Sequence, residues 1–141
     1  MYNLNYLDND WYRNMQNNMN KVSLFPPMEG FEKGNLFANL YNQYKNYKPA
    51  KLRASNEKEK MFLELVSICF AAHELNLYLD LHPEDTSMLS LFNDYRMKEN
   101  ELKRKYESKY GPLTVNSDSV INNNSFMWVN DSWPWEDDIS V

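Results

Sequence analysis

The chain has 141 residues, a length that admits one domain at most, and its net charge of −5 argues against a general nucleic-acid-binding surface. Three glycines exclude the usual glycine-rich phosphate loops, and a single cysteine excludes an internal disulfide. Ten tyrosines and abundant asparagine suit a surface made for association, although an AT-rich coding bias would leave the same trace.

Residues 1–23 show no helical or strand period, and an Asn-rich arm is expected there, disordered or ordered on a partner, with a short helix around Asp8 to Met19 as an option. The start, MYNLNYLDNDWYRN, has acids and no apolar h-region, so no secretory signal is expected and synthesis is placed in the cytosol. Residues 24–50 differ in character. Pro26-Pro27 predicts extended polyproline geometry, not helix, and Gly30 and Gly34 mark turns. Asn35 then predicts a short capped helix with Leu36, Phe37, Leu40, Tyr41 and Tyr44 along one side, ended by Lys48-Pro49. This stripe, with Phe31 ahead of it, must be buried against something else.

Asn56 with Glu59 three residues on has the capping-box spacing and opens a long helix. One apolar set runs Met61, Leu65, Ile68, Ala72, Leu75 and Leu79; a second runs Phe62, Val66, Cys69/Phe70, Leu77 and Leu81. Cys69 within it reads as a small buried hydrophobe. A helix apolar on two sides is covered on two sides, and one partner helix is not enough. No run in the chain approaches the roughly 20 apolar residues that span a bilayer. His82-Pro83 stops the helix, and Pro83 suits the first turn of a second helix over roughly Glu84–Tyr110, with a stripe of Met88, Leu91/Phe92, Tyr95, Leu102, Tyr106 and Tyr110. Gly111-Pro112 ends it. So short a link makes the two helices antiparallel neighbours. The surplus apolar face of the first is left to the aromatic segment upstream, to the C-terminal tail or to another chain.

Residues 114–125 read as polar loop, followed by FMWVNDSWPWEDD and an acidic end over 137–141. Trp128, Trp133 and Trp135 either fold back on the hairpin or anchor an interface. Chemistry is not legible. His73 and His82 are the only histidines, HELNLYLDLH fails the HExxH spacing because residue 77 is Leu, and no Ser-His-Asp or CxxC arrangement exists. No catalytic residue, metal site, cofactor or small-molecule substrate is expected. The fold class expected is all-α: an antiparallel two-helix hairpin with a short N-terminal helix and aromatic-rich arms packed on it, forming oligomers.

The run Phe70-Ala71-Ala72-His73-Glu74-Leu75-Asn76-Leu77-Tyr78-Leu79-Asp80-Leu81-His82-Pro83, then Lys109-Tyr110-Gly111-Pro112-Leu113, then Trp128-Val129 and Trp133-Pro134-Trp135, resembles the spore coat protein CotJB family of endospore-forming bacteria, over about 55–136. Its signature positions here are Leu77, Tyr78, Leu79, Asp80, His82, Pro83, Tyr110, Gly111 and Pro112. The segment Glu29-Gly30-Phe31-Glu32-Lys33-Gly34-Asn35-Leu36-Phe37-Ala38-Asn39-Leu40-Tyr41 is similar to the small companion protein CotJA, so the chain looks like a natural fusion. The resemblance implies a non-enzymatic coat component made in the mother-cell cytoplasm and then built into the spore coat. It implies packing with itself and with a manganese-catalase-like coat protein (CotJC-like), and no nucleic-acid or membrane partner. An adaptor that stabilises or localises that enzyme is the alternative. The residues expected to bind partners are Phe31, Leu36, Phe37, Leu40, Tyr41 and Tyr44 upstream, Phe62, Val66, Phe70 and Leu77 on the first long helix, and Trp128, Trp133 and Trp135 in the tail.

Overall fold

The computed structural model describes residues 22–122 and 124–130. Most of the expected 1–23 arm, Trp133, Trp135 and the acidic end over 137–141 therefore lie outside the described residues. The chain forms two compact units, the first running to Leu102 and the second starting at Lys103.

In the first unit, helix α1 spans Pro27–Lys33. This overturns the expectation of extended geometry at Pro26-Pro27. Only Pro26 is extended, at φ −55° and ψ 147°, as the residue before a proline must be. Pro27 is the first helical residue, where a missing N–H costs nothing and a fixed φ is already helical. Gly34 closes the helix in the left-handed conformation at φ 68°, donating to the Gly30 and Phe31 carbonyls. Gly30 is no turn residue. It is buried inside the helix, where a Cβ would stand 3.2 Å from the Leu36 Cα, so its role is close approach.

The helix predicted from Asn35 is also corrected. Only a 3-10 turn forms, over Ala38–Leu40, and residues 41–50 hold no helix. The competing structure is long-range: Leu24 and Phe37 form an antiparallel bridge, Phe25 N–H donates to Leu36 O at 2.8 Å, and Ala38 N–H donates to Ser23 O at 2.8 Å. Once Phe37 is held extended in that bridge and the Leu36 carbonyl is taken by Phe25 N–H, neither can join a helix. The bridge closes residues 23–38 into a loop with α1 at its centre.

Helix α2 spans Glu57–Leu81 and helix α3 spans Thr86–Tyr110. Asn56 caps α2 as the spacing predicts: its side chain accepts from Glu59 N–H at 2.9 Å. The return half of the box is displaced by one residue, since the Glu59 carboxylate accepts from Ser55 N–H at 2.6 Å and from the Asn56 side-chain amide at 3.0 Å. The start of α3 differs from expectation. Pro83 sits in the connecting turn, and Asp85 does the capping, accepting from Met88 N–H at 3.1 Å. The helices run antiparallel, with Glu64 of α2 beside Lys98 of α3 at 3.7 Å and Tyr78 beside Asp85 at the closed end.

The core follows the first apolar set of α2 and the stripe of α3: Leu65, Ile68, Ala72 and Leu75 are buried, as are Met88, Leu91, Tyr95 and Leu102. The second face of α2 is partly covered by the upstream segment. Phe31 meets the Phe70 ring edge-on at 5.9 Å between centroids, Phe37 lies 5.4 Å from Tyr78, and Leu36 N–H reaches the Glu74 carboxylate at 3.4 Å. Of the covers left open by the sequence for that face, the aromatic segment upstream is one that the chain uses.

By length and composition α2 is able to cross a membrane, against the expectation that no run came near it. Its charges crowd the start, at Glu57, Lys58, Glu59 and Lys60, leaving an 18-residue window with at most two charges. About a third of that window is buried, at 33%, and α2 packs on α1, with Glu64 paired to Lys98 of α3 at 3.7 Å.

The second unit holds the last turns of α3, the 3-10 turn Asp118–Val120, and a two-stranded antiparallel pair, β1 (Ile121–Asn122) and β2 (Ser125–Phe126), with Ile121 opposite Phe126. A final 3-10 turn covers Met127–Asn130. The fold is thus mostly helical, with two long helices, a short N-terminal helix and one small antiparallel strand pair, and residues 114–125 are not plain loop. Asn124 turns the hairpin at φ 60°, a conformation that asparagine tolerates. Gly111, at φ 102°, ends α3 as predicted.

Candidate interaction surface

The residues expected to bind partners separate into two groups. Leu36 and Phe37 are 0% and 8% exposed, sealed against α2 and the bridge strand, so the part assigned to them at an interface is corrected: they belong to the chain's own core. Phe31 and Phe70 are half-buried on one another, Tyr41 is half-buried with its ring edge on Phe25 at 5.7 Å, and Val66 is half-buried on α2. The other group faces outward: Leu40, Tyr44, Phe62, Leu77 and, in the second unit, Trp128. Leu81, Ile121, Phe126 and Val129 are exposed as well. Single exposed apolar residues are ordinary on a protein surface.

The signature positions divide by the same test. Tyr78 is the organising residue of the closed end. Its hydroxyl donates to Asp85 at 3.0 Å, while the other oxygen of that carboxylate caps α3. The Tyr78 ring lies against Phe37 on one side and His82, at 4.4 Å, on the other. One side chain thus ties the upstream segment, the end of α2 and the start of α3. Leu79 is half-buried, whereas Leu77, Asp80, His82 and Pro83 face solvent. The Tyr110 ring lies tilted against that of Tyr106, 5.1 Å between centroids, and Gly111-Pro112 leads the chain away from α3.

Burial pushes the Tyr78 phenol above its ordinary value of 10.0, and the hydrogen bond and charge of Asp85 add to it. The folded state thus favours the protonated phenol. The stability this supplies is full below the ordinary value and is lost as pH rises through and beyond it. Urea midpoints are expected to fall more steeply above about pH 10 in the native chain than in Tyr78→Phe. Equal slopes would refute the coupling.

Sequence reasoning placed Asp85 near the start of the second helix without making it the cap, and it missed Glu107. Asp85 had a signal, an acid just ahead of Thr86-Ser87-Met88, but Pro83 was a competing start. Glu107 had none. It is buried, accepting from Leu113 N–H at 3.0 Å and from the Ser117 hydroxyl, and so holds the turn after α3. Also unforeseen is Lys33, 2.5 Å from Glu29 and 3.8 Å above the Phe25 ring centroid. Among the described residues no group of three or more His, Cys, Asp and Glu side chains could hold a metal ion.

The described residues thus form a helical hairpin with a short N-terminal helix packed on its first long helix and several exposed aromatic side chains. The chain belongs to the CotJB protein family, whose model matches residues 59–136, more than half its length. That membership carries a spore-coat-related role and location. No curated protein and no solved structure matches it.

Proposed function

We propose that this chain is a non-enzymatic assembly protein of the endospore coat, made in the mother-cell cytoplasm, which packs with itself and with a manganese-catalase-like coat protein. Residues 24–50 are read as a CotJA-like part fused to the CotJB-like hairpin. The observation that carries the reading is the family match over 59–136. The outward set of Leu40, Tyr44, Leu77 and Trp128 is consistent with it, because large exposed side chains are what an interface needs. The fused segment supports it too, since it is an integral cover of α2.

The test is quantification of the chain in purified mature coats, with co-purification of the catalase-like protein by native chain and by Trp133→Ala/Trp135→Ala. Abundant incorporation and weaker retention by the variant are expected. Absence from coats would sink the assembly reading; a sub-stoichiometric level with intact retention of the enzyme would favour the adaptor. Unchanged retention by the variant would remove the Trp tail as the docking element.

A further inference from the structure

The charge of this chain is unevenly placed. Between Lys33 and Glu57 it carries Lys45, Lys48, Lys51 and Arg53 and no acid, in a protein of net charge −5. The centre of this stretch is a built turn. Tyr47 N–H donates to Tyr44 O at 3.1 Å, Asn46 takes φ 65°, and the Gln43 side-chain amide donates to Tyr47 O. The turn presents Tyr44, 83% exposed, and Tyr47, 52% exposed, alongside exposed Lys45 and Lys48. Lys51 is already held by Glu32 at 2.8 Å, whereas no carboxylate among the described residues pairs with Lys45 or Lys48.

The closed end of the hairpin has the opposite character. The last turn of α2 contains no basic residue, although the negative end of a helix dipole favours one. Asp80 and Glu84 stand there instead, both exposed. Beside them Leu81 is 81% exposed and Leu77 is 49% exposed, four residues apart and so along one side of the helix. Acidic groups next to uncovered leucines at a dipole's negative end match what the turn offers: cations next to tyrosine rings.

We propose that the Tyr44–Lys48 turn of one copy docks on the Leu77–Glu84 hairpin end of a second copy. The tyrosine rings cover Leu77 and Leu81, and Lys45 and Lys48 meet Asp80 and Glu84. Because the giving and receiving surfaces differ, each copy that gives its turn still offers its hairpin end. Two copies that exchange turns reciprocally close a two-fold dimer, and copies that pass them on one to the next build rings or open rows. This deepens the assembly reading above and rests on its claim of self-packing.

The test uses the full chain in sedimentation velocity. The native chain is expected to gain mass with concentration at about 50 mM salt and to lose it at about 500 mM, as screening shortens the reach of the charges. Lys45→Glu/Lys48→Glu and Asp80→Lys/Glu84→Lys should each associate at least about tenfold more weakly. An equimolar mixture of the two should recover association, since the reversed signs are complementary. Tyr44→Ala/Tyr47→Ala, at exposed positions, should weaken it with the far-ultraviolet spectrum unchanged. A monomeric native chain, unaffected association in the charge variants, or a mixture of folded variants that fails to recover would each overturn the contact. Incorporation into coats by a chain that is monomeric here would refute this contact and leave the coat role standing; association through this contact without incorporation would do the reverse.

Discussion

Leu36→Ala is expected to destabilise the chain by about 2–5 kcal/mol, the range for truncating a fully buried leucine. Leu36 is 0% exposed, and the Gly30 backbone approaches it so closely that nothing can move in to refill the space without shifting α1. The same change in its near neighbour, Leu40→Ala, should shift stability by no more than about 0.5 kcal/mol, because that side chain is 67% exposed. Urea unfolding followed by far-ultraviolet circular dichroism tests the pair. Leu36 matters beyond its own volume, since its carbonyl accepts from Phe25 N–H and its N–H reaches Glu74. Equal, small effects at both positions would mean that the upstream segment is not part of the core.

Asp85→Ala is expected to cost about 1–3 kcal/mol, from the loss of a helix N-cap and of a hydrogen bond to a partly buried hydroxyl. Its carboxylate has two tasks, accepting from Met88 N–H at 3.1 Å and from the Tyr78 hydroxyl at 3.0 Å. Asp85→Asn keeps an acceptor for the cap and should recover most of the loss. A double-mutant cycle with Tyr78→Phe isolates the second task, and a coupling energy near zero would remove Tyr78 from the account of the closed end.

The hairpin was legible because its signals are local. Asn56 and Glu59 are three residues apart, the apolar spacing from Leu65 to Leu75 belongs to one helix face, and Gly111-Pro112 permits no continuation. The upstream segment was not, because distant residues decide it. Pro26-Pro27 is equally compatible with an extended pair and with a helix start, and the choice falls to the helix through the packing of Gly30 and Leu36. Leu36 and Phe37 have helical spacing with Leu40, yet the bridge to Leu24 holds Phe37 extended. The outward and inward members of the aromatic set were indistinguishable for the same reason. Spacing shows that Leu36, Phe37 and Tyr44 are apolar neighbours; only the position of α2 shows that two are covered and one is not.

The clip that residues 23–38 place across α2 separates two boundaries that are often taken as one. The family match begins at residue 59, inside the first turn of α2, and leaves out Asn56, the Ser55 amide that meets Glu59, and all of α1. A fragment cut there would bare Phe70, Glu74 and Tyr78 on the side where Phe31, Leu36 and Phe37 now lie. What is shared with the family and what folds as a unit therefore differ by some thirty-five residues at the N-terminal side, from Ser23 to Lys58.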